Sequence, residues 1–180
     1  MTDHNQNTLQ TLHTRALELA KKPKRAPKDL LEILEFKIMG ERYGMALGGI
    51  GEVLLLKGLT PVPCTPAHVL GIINIRGRIL SVLDLCRLFG LPTRSPEEGD
   101  KIITIKNQTM EFGFLVQTVV GTKSIPTQSI QVSLPTINGL RGEYLWGVTD
   151  DLLALLDWEK LLRDEKLIVH EKINILKKEK

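Results

Sequence analysis

The chain has 180 residues, of which 42% are hydrophobic and 25% charged, and its formal net charge is +3 at pH 7. These values are ordinary for a globular protein and too weakly basic to indicate nucleic-acid binding by themselves. The apolar runs are short and interrupted, which argues against a membrane-spanning helix. The polar N-terminus lacks the apolar stretch of a signal peptide, and the two cysteines show neither metal-ligand spacing nor a disulfide framework, so we predict a cytoplasmic protein.

Residues 1–33 are predicted to form an N-terminal extension made of a helix and a linker. Apolar residues recur at helical spacing between residues 8 and 22, and Thr8 can cap the helix that they predict. Pro23 and Pro27 mark a boundary, and the basic residues around them are typical of a solvated linker. Because the helix has an apolar stripe, we expect it to dock on the following domain or on a partner.

From residue 34 the hydrophobic period changes from helical to alternating, and residues 34–163 are predicted to form a mainly β domain. A hairpin over 34–47 is followed by closely spaced glycines, which are typical of a bulge or bend. A helix is predicted to begin at Trp158, and residues 164–180 are predicted to extend or restart it. Further strands are predicted at 52–56, 102–105, 110–120, 130–132, 144–148 and 152–156, with a short helical turn at 67–70.

The stretch over residues 71–85 predicts an apolar hairpin with arginines at its tip. Two β-branched runs flank Arg76, Gly77 and Arg78, and Gly77 can supply the positive φ of a tight turn. The arginines either keep the tip soluble or face a partner. We favour a functional role for Arg76, because an arginine at a hairpin tip has little packing reason to be there, and a solubilising role for Arg78.

The two halves of the chain resemble each other. YGMAL at 43–47 is similar to FGFLV at 112–116, and LSVLDL at 80–85 is similar to LALLDW at 153–158. In the segments 80–85 and 153–158, the aspartates Asp84 and Asp157 are each predicted to cap a short helix. A repeat of this kind indicates two similar small β-barrels packed on each other.

Motifs of catalysis are missing from the sequence. The four histidines are scattered, and there is no nucleophile elbow, phosphate-binding loop or dinucleotide fingerprint. The glycines at 48–51 lie between strands and cannot open a helix toward a phosphate. Asp150 and Asp151 are ordinary residues for a hairpin tip. We therefore expect no cofactor and no metal, and an interaction module rather than an enzyme.

The chain is similar to the CheW-type chemotaxis coupling proteins over about residues 34–163. The resemblance is carried by GIINIRG at 71–77 with the apolar strand and Asp-Leu that follow it, by EF at 35–36, by GEV at 51–53, and by LRGEYL at 140–145. It implies two SH3-like five-stranded β-barrel subdomains around a shared core, to which this chain adds the helices that its residue pattern predicts at the two ends. It also implies a non-enzymatic adaptor that couples the helical-hairpin tip of chemoreceptors to the regulatory domain of a CheA-type histidine kinase.

The resemblance implies which residues contact these partners. Arg76 corresponds to a receptor-facing arginine, and Ile50 and Glu52 correspond to strand positions near the receptor and kinase surfaces. Ordinary core packing is an equal alternative for Ile50. Gly71 and Gly77 correspond to positions of kinase binding or close backbone approach, with turn geometry as the favoured alternative. Gln117 and Thr118 stand where the family commonly has an acidic residue.

Other functions are left open. A receiver-linked adaptor is disfavoured because no phospho-acceptor domain is seen after the coupling domain. A small-ligand-binding β-barrel or an unrecognised enzyme would need a polar pocket with convergent titratable groups. A pocket lined by Cys64, His68 and Glu52 would support that alternative.

Overall fold

Two β-sheets make up the fold, which we describe from a computed structural model of residues 29–132 and 140–167. The predicted helix at 8–22 lies outside the described residues, as do residues 168–180 of the predicted C-terminal helix. The helix that begins at Trp158 ends at Arg163, and a 3-10 helix over Glu165–Leu167 follows it. In the described part of the chain, three short α-helices accompany the strands: α1 (Leu85–Phe89), α2 (Leu140–Glu143) and α3 (Trp158–Arg163). The strands are β1 (Leu30–Ile38), β2 (Glu41–Ala46), β3 (Ile50–Leu55), β4 (Val69–Ile75), β5 (Arg78–Leu83), β6 (Lys101–Lys106), β7 (Glu111–Val116), β8 (Thr118–Pro126), β9 (Ile130–Gln131), β10 (Leu145–Thr149) and β11 (Ala154–Leu156).

Each sheet combines antiparallel hairpins with one parallel pair of strands. Sheet A has the strand order β8-β1-β2-β11-β10-β9, and sheet B has the order β3-β6-β7-β5-β4. Strand β2 runs parallel to β11 in sheet A, as β7 runs parallel to β5 in sheet B. The mainly β, two-subdomain fold expected from the sequence is therefore confirmed, with β9 as a sixth, two-residue strand in sheet A.

Sheet A and sheet B do not correspond to the first and second halves of the sequence. Sheet A joins the first two strands to the last four, whereas the five strands between them, β3 to β7, form sheet B. The predicted single strand over 110–120 is wrong for this reason. The chain leaves sheet B after β7 and joins sheet A beside β1, where Gln117 N donates to Lys37 O at 3.1 Å.

The internal repeat is present in the structure as equivalent local contacts. Asp84 caps α1 by accepting hydrogen bonds from Cys86 N and Arg87 N, and Asp157 caps α3 by accepting from Glu159 N and Lys160 N. These caps stabilise helices that are too short to persist alone.

The short helical turn predicted at 67–70 is not formed. These residues form a turn into β4, in which Val69 N donates to Pro66 O.

A glycine occupies the same place in both repeats, where a neighbouring strand leaves no room for a side chain. A Cβ on Gly44 would lie 2.9 Å from side-chain atoms of Ile33 and Leu155. A Cβ on Gly113 would lie 2.5 Å from Ile102 Cγ2. The repeated glycine therefore reflects close packing inside each sheet.

A shared core lies between the sheets, and each sheet also has a smaller core of its own. Phe36 of sheet A and Phe114 of sheet B are in contact in the shared core, with ring centroids 5.6 Å apart. The smaller core of sheet B contains Ile73, Ile75, Leu80, Val82 and Ile102, and that of sheet A contains Ile33, Ile125, Leu153 and Leu155. Burial of these apolar side chains is the main stabilising contribution.

Sheet B curls round on itself. The chain that leaves its edge strand β3 returns to the opposite edge strand β4, where Thr60 bridges Ile72. The curl also brings the side chain of Glu52 on β3 to that of Arg78 on β5, although two strands separate β3 from β5 in the sheet order. This curl brings β3 alongside the hairpin β4–β5.

Candidate functional site

The hairpin β4–β5 ends in a two-residue turn formed by Arg76 and Gly77. Ile75 pairs with Arg78 across the turn, and both turn residues have positive φ, +50° at Arg76 and +85° at Gly77. These values define a type I′ turn, which matches the twist of the strands. Asn74 Oδ1 accepts a hydrogen bond from Gly77 N at 2.8 Å. Positive φ at Arg76, which the sequence did not predict, places an arginine where asparagine, aspartate or glycine is preferred.

Replacing Arg76 by asparagine is expected to stabilise the protein. Asn adopts the left-handed region more readily than Arg, so Arg76→Asn should raise the free energy of unfolding by about 0.5–1 kcal/mol. The ion pair that is lost is long and exposed, and contributes little. Urea unfolding of wild type and variant measures the difference. Equal or lower stability of Arg76→Asn would show that the turn is not strained by arginine.

Three further charged residues surround the hairpin tip and form with Arg76 what we call the tip cluster: Arg76, Glu52, Arg78 and Glu111. Arg78 donates to Glu111 Oε2 at 2.5 Å and to Glu52 Oε1 at 3.1 Å. Arg76 Nη2 lies 3.8 Å from Glu52 Oε2. The side chain of Arg76 is 82% exposed, against 24% for Glu52. Arg78 therefore does more than solubilise the turn, contrary to its interpretation from the sequence.

The remaining predicted site residues occupy different environments. Ile50 is half-buried at the start of β3 and packs against the shared core. Gly71 has φ +151°, and a Cβ there would lie 2.3 Å from Thr60 O, so its close approach is to this chain's own backbone. Gly77 has open space around it and serves the turn. Among the five predicted site residues, Arg76 and Glu52 are the only two that an ion pair joins.

Sheet A carries a related charge cluster at the tip of its hairpin β10–β11, which corresponds to the β4–β5 tip of sheet B. We call it the sheet A cluster, and its members are Glu35, Arg42, Lys123 and Asp151. Asp151 lies at the β10–β11 tip and pairs with Arg42 at 3.1 Å and with Lys123 at 3.4 Å. Both cations also pair with Glu35, which is 7% exposed. In the sheet A cluster one carboxylate at the hairpin tip, that of Asp151, pairs with two cations. In the tip cluster the charges are reversed, since one cation, Arg78, pairs with two carboxylates. Asp151 is more than a turn residue, which sequence reasoning missed.

The sheet A cluster predicts loss of stability in acid. The hydroxyl of Thr149, with Arg42 and Lys123, lowers the pKa of Asp151 from 3.8 to about 2, and Arg42 and Lys123 lower the pKa of Glu35. A lowered folded-state pKa means that the stabilisation is complete above the unfolded-state pKa and is lost as pH falls through the folded-state pKa. We expect the free energy of unfolding to fall between about pH 4 and pH 2, with less than about 1 kcal/mol from the half-exposed Asp151.

Urea unfolding of wild type and Asp151→Asn across this pH range measures the effect. The variant should depend less on pH than the wild type. Asp150→Asn is a matched control at the same tip, because the Asp150 carboxylate accepts from the neutral amide of Gln131. Identical pH profiles for Asp151→Asn and wild type would contradict the assignment.

Two cavities among the described residues can be compared with the pocket expected of a small-ligand site. A cavity of about 350 Å³ is lined mainly by apolar residues around Trp146 and Trp158, and a second, of about 20 Å³, includes Asp84, Cys86 and Arg94. Cys64, His68 and Glu52 line neither cavity, and no hydrogen bond or ion pair joins them. Within residues 29–132 and 140–167, no three His, Cys, Asp or Glu side chains are grouped as a metal site.

No helix in the described part of the chain is long and apolar enough to cross a membrane.

The chain resembles a chemotaxis protein CheW of Treponema pallidum, with 26% identity over 87% of this chain and 94% of that protein. It also resembles a chemotaxis protein CheW of Thermotoga maritima, with 30% identity over 74% of this chain and 88% of that protein.

A solved structure with the same fold is that of the scaffolding protein TtCheW from Thermoanaerobacter tengcongensis. The two are 27% identical and superpose with a TM-score of 0.65, over 72% of this chain and 90% of the other. A family model described as the CheW-like domain matches residues 32–166. That range contains the tip cluster and all of both sheets except the first two residues of β1, and the chain belongs to the CheW-like domain family.

Proposed function

We propose that this protein is a non-enzymatic adaptor in chemotaxis signal transduction. It couples the cytoplasmic tips of methyl-accepting chemotaxis receptors to a CheA-type histidine kinase. The observation that carries this proposal is the match of the CheW-like domain to residues 32–166, which extends across both sheets. The protein then works in the cytoplasm at membrane-associated receptor arrays, without inserting into the membrane and without binding nucleic acid or a cofactor.

Arg76, Glu52 and Ile50 form the receptor-binding site in this proposal. The conformation of Arg76 supports it, because a residue held at positive φ with an 82% exposed side chain contributes little to the fold. A guanidinium in that position can bind carboxylate or carbonyl oxygens of a helical receptor tip. Ile50 adds half-buried apolar surface at the start of the strand that carries Glu52.

Gly71 and Gly77 act on the kinase-binding side by shaping the hairpin. Gly71 lets β4 lie against the backbone at Thr60 and Pro61, and Gly77 completes the turn. Their contribution to kinase binding is therefore indirect, through the position of the hairpin. Residues 34–163 carry both binding activities in this proposal.

Reconstitution tests the proposed function. The purified protein is added to a CheA-type kinase and to membranes containing a receptor of the same organism, and kinase autophosphorylation is measured. We expect activation that requires all three components, and co-sedimentation of the protein with the receptor membranes. Absence of both would contradict the proposal. The same assay on a chain that begins at residue 29 tests whether the domain suffices.

A further inference from the structure

The cavity of about 350 Å³ is lined by both tryptophans of the chain and crosses four neighbouring strands of sheet A. We call it the tryptophan cleft. Its lining on the strands consists of Leu31 of β1, Ala46 of β2, Leu156 of β11 and Trp146 of β10. The beginning of α3 completes the lining with Asp157, Trp158 and Glu159. Since neighbouring strands lie about 4.8 Å apart, the cleft is about 14 Å long across the strands.

Trp158 is held in a fixed position beside the cleft. The backbone of Gly49 lies so close to the indole ring that a Cβ on Gly49 would overlap the Cγ and Cδ2 atoms of Trp158. The preceding residue, Asp157, is anchored as well, because its N donates to Tyr144 O at 2.8 Å and its carboxylate caps α3. One wall of the cleft is therefore preorganised, which lowers the entropy that a ligand's binding costs.

Trp146 forms a more open part of the lining, with 36% of the residue exposed. Among the described residues, neither Trp146 nor Trp158 donates a hydrogen bond from its indole N–H. Each tryptophan thus offers a ligand both an apolar ring and a hydrogen-bond donor. Acceptors that suit these donors are backbone carbonyl groups that have no partner within their own chain.

The charges of the cleft are those of two carboxylates. Asp157 and Glu159 are the charged residues among the described residues that line it. Arg163 pairs with Oε2 of Glu159 at 2.6 Å, and Lys160 lies 3.8 Å from Asp157, but neither cation belongs to the lining. Carboxylates beside indole rings favour a cation, and a guanidinium suits them best because it stacks on the ring and donates to carboxylate oxygens.

We propose that the tryptophan cleft binds a proline-rich peptide segment of a partner protein, with an arginine of that segment at Asp157 and Glu159. A polyproline II helix has no internal hydrogen bonds, so its carbonyls can accept from the indole N–H groups while its rings pack on the tryptophans. About five residues of such a helix, at about 3.1 Å each, span the cleft.

An α-helix fits the cleft less well than an extended peptide. A cavity of this volume and length is only about 5 Å across, whereas an α-helix with its side chains is about 10–12 Å wide. None of the lining residues belongs to the tip cluster or to the residues proposed to act in receptor and kinase binding. The inference therefore goes beyond the proposed function and does not depend on it.

Nuclear magnetic resonance of the isotope-labelled full chain tests the proposal, with a peptide of five prolines and one arginine as the probe. Because both tryptophans line the cleft, we expect the two indole N–H signals to shift on titration and to saturate. A peptide with glutamate in place of arginine should bind about fivefold more weakly, since an exposed charged contact contributes up to about 1 kcal/mol. A peptide with glycines in place of the prolines should bind about tenfold more weakly, since it is not preorganised.

Variants of the cleft separate its tryptophan from its charge. Trp146→Ala should weaken binding of the arginine peptide about tenfold or more. Leu152→Ala is the matched control, because Leu152 is an 81% exposed apolar residue that does not line the cleft. Glu159→Gln should weaken binding about threefold. Arg163→Gln breaks the same ion pair but keeps the carboxylate, and it should bind at least as tightly as wild type.

Thermal unfolding shows whether each variant is folded, and should Trp146→Ala not fold, the contrast between Glu159→Gln and Arg163→Gln still tests the site. Unchanged indole signals in the presence of the arginine peptide would overturn the proposal. Binding by a folded Trp146→Ala protein as tight as that of wild type would do the same, as would equal weakening by Glu159→Gln and Arg163→Gln. If the indole signals instead shift with protein concentration in the absence of peptide, a second copy of the chain occupies the cleft, and the proposal is wrong.

Discussion

Gly71→Ala is expected to lower the free energy of unfolding by about 3 kcal/mol and the melting temperature by about 10 °C. Two effects add at this position. The Cβ would lie 2.3 Å from Thr60 O and 2.8 Å from Thr60 C, which are backbone atoms that cannot move without breaking the Thr60–Ile72 bridge. The φ of +151° is also unfavourable for any residue with a side chain. Urea and thermal unfolding measure the loss.

Gly77→Ala is the matched control for Gly71→Ala. It lies in the same hairpin and also has a positive φ, +85°, but a Cβ there meets nothing within 4 Å. We expect only the backbone strain, about 1 kcal/mol. If the two variants are equally stable, the packing of β4 against the link at Thr60 does not limit stability, and the role assigned to Gly71 is wrong.

Arg76→Glu is expected to reduce receptor-dependent activation of the kinase by about tenfold or more, with the fold intact. The substitution reverses the charge that the receptor carboxylate meets, and a lost charged contact of about 1.4 kcal/mol already corresponds to tenfold. Repulsion from Glu52, whose Oε2 lies 3.8 Å from the present guanidinium, adds little to instability because the position is exposed. Coupled kinase assays with receptor membranes measure the loss.

Arg163→Glu provides the comparison for Arg76→Glu. Arg163 is 75% exposed on α3, pairs with Glu159 at 2.6 Å and lies outside the tip cluster. The same change of net charge there should leave activation at the wild-type level. Wild-type activation by a folded Arg76→Glu protein would remove Arg76 from the receptor site.

Local patterns in the sequence were sufficient to predict most elements of the fold. Alternation of apolar residues predicted the strands, and the aspartates before two apolar turns predicted both helix caps at Asp84 and Asp157. The repeat predicted two similar subdomains. These features depend on residues close together in the chain, so their physical causes can be recognised without a structure.

Pairing between distant strands could not be predicted in the same way. Nothing in the local pattern of residues 110–120 indicates that the chain changes sheet at Gln117, because apolar residues lie on both sides of it, up to Val116 before it and at Val119 and Val120 after it. Arg78 was interpreted as a solubilising residue for the same reason. Its partners Glu52 and Glu111 are 26 and 33 residues away, and they meet it only because sheet B curls. The positive φ of Arg76 follows from the strand register, which pairs Ile75 with Arg78 and so leaves Arg76 as one of only two turn residues.

The distribution of strands between the sheets has a consequence for the order in which the protein folds during synthesis. The hairpin β1–β2 emerges from the ribosome first, but its neighbours β8 and β11 are among the last parts to be made. Sheet B, by contrast, consists of consecutive strands and can form once residue 116 has emerged. The first hairpin therefore lacks both of its strand neighbours while sheet B already has all of its strands, and the middle of the chain can complete its sheet before the beginning does.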